Sequence, residues 1–277
     1  VFILRCFHNS KLVMMPKILL LGDSLTQTSF EGWGASLANQ YQRRADVINR
    51  GMSGYNTRWY LRYAQDVGMF SDKVDEDVIL VTLFFGANDS ALKDLDAKHV
   101  PVPEYEENLT AMLQNVTQCF PKANVLLIAP PPVHKGQRLD FQKQRYGDKA
   151  TGIPERTFEH TQLYAQACMK VAARNKIPCL DMFTAMVEAG DQNEGFGRFL
   201  SDGLHFSPQG HAFVTEHVLK CIEANFPDIA VTPCPVTGQP NNSGSKCPGL
   251  ETSGPYHDDI NHNEWEKAFD ERKTGHK

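Results

Sequence analysis

The chain has 277 residues, a formal net charge of −5, 41% hydrophobic residues and 22% charged residues. That is enough apolar material to bury a core, which excludes global disorder, and the length suits one α/β domain with a tail or two small domains. Both signs of charge are scattered and no basic stripe forms, which argues against a nucleic-acid partner.

Val1 to Met15 is partly apolar, but Arg5, His8 and Lys11 interrupt it and no small-residue cleavage site follows. It reads poorly as a signal peptide and is too short to span a membrane. Residues 1–14 are therefore expected to be a disordered leader, with folding beginning at Met14 or Met15. Lys17 to Leu21 is a continuous apolar run ending at Gly22, as expected of a buried parallel strand. Trp33 to Tyr41 has helical periodicity. Ala45 to Asn49 reads as a second strand, closed by Gly51 and the Ser53-Gly54 turn, and Thr57 to Val67 as a helix. Asp77 to Phe85 is the strongest strand. Tyr105 to Cys119 places Leu109, Met112, Leu113 and Val116 at the helical interval. Asn124 to Ala129 is a fourth strand, stopped by Pro130-Pro131-Pro132. His134 to Pro154 is polar and turn-rich and reads as a surface loop or lid. Glu155 to Asn175 reads as a long helix, Ile177 to Met182 as a fifth strand, and Pro208 to Phe226 as the closing helix.

This alternation predicts an α/β fold with a five-stranded parallel sheet covered on both faces. The domain then spans residues 15–230. Thr232 to Pro255 is rich in Pro, Gly, Asn and Ser, so 231–254 is expected to be a linker or insertion and 255–277 a tail segment with a short helix over Glu264 to Arg272. No segment is long and apolar enough to be a transmembrane helix.

The seven cysteines include no CxxC pair, which leaves a zinc site or redox dithiol without support. Those outside the tail read as small core residues. That usage and the missing signal point to a reducing, cytoplasmic setting, although Cys234 and Cys247 could pair in a secreted protein.

In an open parallel sheet, ligands sit outside the carboxyl ends of the strands. The polar residues that follow the strands are Asp23 and Ser24 after the first, Asn49 and Gly54 after the second, and Asn88 and Asp89 after the third. Acyl transfer needs a nucleophile, a base, a group that orients the base, and donors for the developing oxyanion. Ser24 can supply the nucleophile. Asp202 and His205, three apart before the last helix, can supply orienting acid and base. Candidate oxyanion donors are the Ser24 and Gly54 backbone N–H groups and the Asn88 carboxamide. Asp23 reads as a brace for the loop, not as the orienting acid. Each residue has a plainer reading alone: Ser24 as a turn or cap residue, Asp202 and His205 as helix-capping groups, Asn88-Asp89 as a turn, Gly51 and Gly54 as loop glycines. His211 and His217 read as surface or core residues of the last helix. Their joint, ordered occurrence after successive strands gives the chemical reading its weight.

The ordered segments Gly22-Asp23-Ser24-Leu25-Thr26, Asn49-Arg50-Gly51-Met52-Ser53-Gly54, Gly86-Ala87-Asn88-Asp89 and Asp202-Gly203-Leu204-His205 resemble the GDSL or SGNH hydrolase superfamily, named for Ser, Gly, Asn and His in four blocks. Asn49 to Trp59, Pro130-Pro131-Pro132 and Ser201 to Ser207 look like the isoamyl acetate-hydrolysing esterase group. The resemblance runs from about Pro16 to Ile222 and resumes at Pro255 to Trp265; residues 1–14 and 231–254 depart from it. It implies a three-layer α/β/α sandwich and an esterase that needs no cofactor or metal. Ser24, Asp202 and His205 would be catalytic, Ser24, Gly54 and Asn88 would form the oxyanion hole, and Asp23 and Asn49 would support them. The expected partner is a small ester, with a homodimer left open. Lysophospholipid, thioester and acetylated-sugar substrates use the same residues, and a non-catalytic binding module is the reading from another class.

Overall fold

The computed structural model describes residues 15–70, 73–190 and 195–231, with Leu250, Ser253, Ile260, Asn261, Glu264 and Lys267 beyond them. Five parallel strands form its centre: β1 (Lys17–Gly22), β2 (Asp46–Gly51), β3 (Val78–Phe84), β4 (Asn124–Ile128) and β5 (Cys179–Leu180), in the order β2-β1-β3-β4-β5. After Lys17, every residue of β1 is buried. Its alternation divides the core in two: Ile18 and Leu20 join Leu80, Phe84, Leu126 and Ile128 on one face, while Leu19 and Leu21 join Val81, Leu83 and Leu127 on the other. A strand buried on both sides has no polar face to show, hence the unbroken apolar run.

The first face is covered by α2 (Trp33–Gln40) and α8 (Pro208–Asn225), with Met182 and Met186 of α7 (Met182–Ala189). The second is covered by α3 (Thr57–Asp66), α4 (Val102–Cys119) and α6 (Phe158–Asn175). The three-layer sandwich is thus as expected. Each large apolar side chain removed from water contributes about 1.5–3 kcal/mol. Trp33 does more than fill space: its indole N–H donates to the Leu25 carbonyl at 2.9 Å and its ring meets Phe84 edge-on. The core therefore grips the turn that follows β1.

Three boundaries differ from expectation, each for a local reason. Residues 134–154 are not a loop: they hold α5 (Lys135–Tyr146) and a 3-10 turn at Gly147–Lys149. The buried side chains of α5 are Arg138 and Gln142, so the helix has no apolar stripe to betray it. The helix expected from Glu155 starts at Phe158, because Thr157 is extended and caps it by accepting the His160 N–H at 3.1 Å. The fifth strand is two residues long, and Met182, read as its end, opens α7.

Cys119 and Cys168 are buried, while Cys179 and Cys221 are half-buried. Cys6, Cys234 and Cys247 lie outside the described residues, as do the leader 1–14, linker residues 232–249 and most of the tail helix. Leu250 rejoins the body, its N–H donating to the Ala230 carbonyl at 3.2 Å, and Ser253 exchanges hydrogen bonds with Arg43. No helix among the described residues is long and apolar enough to cross a membrane.

Candidate active site

The connections from β1 and β3 leave toward opposite sides of the sheet, which opens a crevice at their carboxyl ends. β1 stops at Gly22, where a Cβ would lie 2.1 Å from Thr26 Oγ1 and 2.7 Å from the Phe84 carbonyl. Asp23 then caps the four-residue helix α1 (Ser24–Gln27), its Oδ1 accepting the Leu25 N–H at 2.9 Å. Asp23 is fully buried, and its Oδ2 meets no donor among the described residues. Burial, reinforced by Asp89, pushes its carboxyl up to about 7 against the lowering effects of the Leu25 N–H, His205 and Arg156. Asp23 thus ties the turn after β1 through its bond to the Leu25 N–H. Asn49 ties β2 to the same turn: its Nδ2 donates to the Thr26 carbonyl at 2.8 Å and its Oδ1 accepts the Gly51 N–H at 2.9 Å.

The loop before α8 is pinched by a bridge between Leu200 and Phe206, and its tip carries Asp202 and His205. Oδ1 of Asp202 accepts the Leu204 and His205 N–H groups at 2.9 and 2.8 Å. Oδ2 pairs with His205 Nδ1 at 2.9 Å, and His205 Nε2 stands 3.0 Å from Ser24 Oγ. Burial alone would raise the Asp202 carboxyl, but the side-chain and backbone donors of His205, its charge and the Leu204 N–H hold it well below the usual carboxylate range. A neutral imidazole with its proton on Nδ1 satisfies both contacts and leaves Nε2 free to take the hydroxyl proton of Ser24. Gly203 makes the tight tip at φ +81°; a Cβ there would lie 2.5 Å from the His134 carbonyl.

Gly54 and Asn88 come from the next two connections. Gly54 sits at φ +80°, and the carbonyl of its neighbour Tyr55 accepts from Asn88 Nδ2 at 2.9 Å, which holds the two loops together. Asn88 Oδ1 accepts from Arg156 Nη2 at 3.0 Å, so the amide end is oriented and one of its two hydrogens remains uncommitted. The residues read from the sequence thus converge on the carboxyl edge of β1–β3, whereas His211 accepts from the Trp33 N–H and His217 stacks on Phe213.

Two buried arginines and one half-buried glutamate beside the site escaped sequence reasoning. Arg138 Nη1 donates to Asp202 Oδ2 at 3.1 Å, Arg156 orients Asn88, and Glu155 bonds both arginines. Their one sequence signal is the Arg138-x-x-x-Gln142 spacing, a helical interval within a polar stretch. Among the described residues, no group of three or more His, Cys, Asp or Glu side chains could hold a metal.

The sequence model of the GDSL-like lipase/acylhydrolase family matches residues 20–213, which include every residue of this site. The chain belongs to the GDSL-like lipase/acylhydrolase family. It is 41% identical over 211 residues to a GDSL esterase/lipase of Arabidopsis thaliana, covering 75% of this chain and 85% of that one. It is also 41% identical over 215 residues to the Homo sapiens isoamyl acetate-hydrolyzing esterase 1 homolog, covering 76% and 83%. Among solved structures, the lipase/acylhydrolase of Enterococcus faecalis superposes with a TM-score of 0.55 at 25% identity, covering 76% of this chain and 96% of that one. As a member of this GDSL family, the protein is a carboxylic ester hydrolase.

Proposed function

We propose that the protein cleaves small esters, with acetate and other short acyl groups preferred, through an acyl-enzyme on Ser24. The observation that carries this reading is the unbroken hydrogen-bonded chain Ser24–His205–Asp202, at 3.0 and 2.9 Å. As Ser24 Oγ attacks the ester carbonyl carbon, its proton passes to His205 Nε2, and Asp202 stabilises the imidazolium that forms. The carbonyl oxygen becomes an oxyanion. Its donors are the uncommitted amide hydrogen of Asn88, the Gly54 N–H, and the Ser24 N–H, which Asp23 leaves free by capping Leu25 instead.

The tetrahedral intermediate collapses as the bond to the alcohol oxygen breaks, and His205 returns its proton to that oxygen. A water deprotonated by His205 then attacks the acyl-enzyme, releasing the carboxylic acid and Ser24. The short-acyl preference is favoured by the name of the human relative and by α5, which buries Arg138 and Gln142 where a long-acyl groove would want apolar lining.

The test is hydrolysis of p-nitrophenyl acetate by the parent and by Ser24→Ala, followed by a panel of esters of increasing acyl length. The expected result is loss of nearly all activity in Ser24→Ala and a rate that declines from acetate upward. Equal rates in both proteins would overturn the role of Ser24, and a long-chain optimum would overturn the substrate class.

A further inference from the structure

Asp202 and Asn88 approach the reaction centre from different parts of the chain, one from the loop before α8, the other from the end of β3. Each is met by a buried guanidinium. Arg138, from α5, donates through Nη1 to Asp202 Oδ2, the oxygen that also holds His205. Arg156, just before α6, donates through Nε to the Ala87 carbonyl at 2.6 Å and through Nη2 to Asn88 Oδ1 at 3.0 Å. The side chains of Arg138 and Arg156 are only 6% and 4% exposed, so two cations lie close together with little water to screen them.

One carboxylate bridges both. Glu155 Oε1 accepts from Arg138 Nη2 and, at 3.1 Å, from Arg156 Nη1. Its Oε2 accepts from Gln142 Nε2 at 2.9 Å, and the same amide nitrogen donates to the Ile153 carbonyl. Its backbone carbonyl takes the Leu92 N–H at 2.9 Å, and Asp96 approaches Arg156 Nη2 to 3.5 Å. Both carboxylate oxygens and the backbone of Glu155 are therefore fixed. The late start of α6, at Phe158, leaves Glu155 and Arg156 in the bend before the helix, where neighbouring side chains can reach different partners.

We propose that Glu155 is a positioning residue shared by the two halves of the reaction centre. Through Arg138 it sets Asp202 and hence the His205 imidazole; through Arg156 it sets the Asn88 carboxamide. The inference rests on the roles given above to Asp202, His205 and Asn88. A base and an oxyanion donor that move independently lose alignment even when each is individually intact. A misplacement of about 1 Å is enough to cost about 100-fold in rate.

The test uses the full chain, with p-nitrophenyl acetate as substrate and steady-state kinetics on Glu155→Gln, Glu155→Asp, Arg138→Met and Arg156→Met. Glu155→Gln keeps the shape and removes the charge that holds two guanidinium groups. The expected result is a kcat lowered about 10- to 100-fold with KM changed less than about threefold, partial recovery in Glu155→Asp, and losses in the two arginine variants that do not multiply with that of Glu155→Gln. A folded Glu155→Gln with kcat within twofold of the parent overturns the proposal. If Glu155→Gln does not fold, the Arg138→Met/Arg156→Met double-mutant cycle decides: coupled losses support a shared member, and strictly multiplicative losses overturn it. The parent and Ser24→Ala comparison is read separately, so failure of the acyl-enzyme reading is distinguishable from failure of this one.

Discussion

Two aspartates sit in the two loops that carry Ser24 and His205, and they have opposite electrostatics. Asp23, in the turn after β1, is fully buried with one oxygen bonded to the Leu25 N–H and the other without a donor among the described residues. Asp202, in the pinched loop before α8, receives two backbone N–H groups, the imidazole and a guanidinium. Burial pushes the first up to about 7, whereas hydrogen bonding holds the second well below the usual range despite burial. The number of donors facing a buried carboxylate, and not burial alone, decides which way its pKa moves.

The largest break in this contrast comes from Asp202→Asn. In the proposed mechanism it removes the charge that stabilises the imidazolium, and kcat toward p-nitrophenyl acetate should fall about 10⁴-fold with the fold retained. If Asp23→Asn caused the larger loss, the two roles would have to be exchanged. Gly203→Ala sharpens the comparison next. Its Cβ would meet the His134 carbonyl at φ +81°, costing about 1–3 kcal/mol, and the strain falls on the Asp202 loop. The expected result is a Tm several degrees lower together with a lower kcat; unchanged thermal stability would show that the loop relaxes freely.

The smallest effect belongs to Asp23→Asn, and it is a matter of pH. A carboxyl whose folded pKa is raised binds its proton more tightly in the folded protein than in the unfolded chain. Its contribution to stability is therefore fully present below its ordinary value of about 4 and is lost as pH rises through about 7. Asp89, raised to about 6 mainly by burial and held by Thr57, acts in the same direction. Asp202, with its pKa depressed, runs the other way: its contribution is present above about 4 and is lost toward acid. Asp23→Asn keeps an oxygen for the Leu25 N–H and removes the charge. It should raise Tm at pH 8, with the gain shrinking toward pH 5. A gain of equal size at both pH values would mean that Asp23 does not titrate in this window.

Of the candidate site residues, Ser24, Gly54 and Asn88 were legible because strand ends are legible, whereas Asp202 and His205 were read from their spacing before the last helix. Apolar runs such as Lys17 to Leu21 and Asp77 to Phe85 mark where the sheet stops, and chemistry-bearing side chains follow. The layer that holds them in register was not. α5 buries Arg138 and Gln142 instead of an apolar stripe, so periodicity of hydrophobicity has nothing to detect. Glu155 and Arg156 look like the first turn of a helix until Thr157 is seen to cap it. Polar residues that pair with one another leave their trace in three dimensions only, since, apart from the adjacent Glu155–Arg156 pair, these partners are 13 to 68 positions away.

The bond between the Trp33 indole and the Leu25 carbonyl gives the molecule an optical handle. Trp33 is completely buried, Trp59 is 39% exposed, and Trp265 lies outside the described residues. A buried indole emits toward the blue and is shielded from acrylamide, so Trp33 emission can be separated from that of Trp59 by quenching. Because its N–H is bonded one residue from Ser24, that shielded component reports whether the turn that carries Ser24 is held against the core, with no external label.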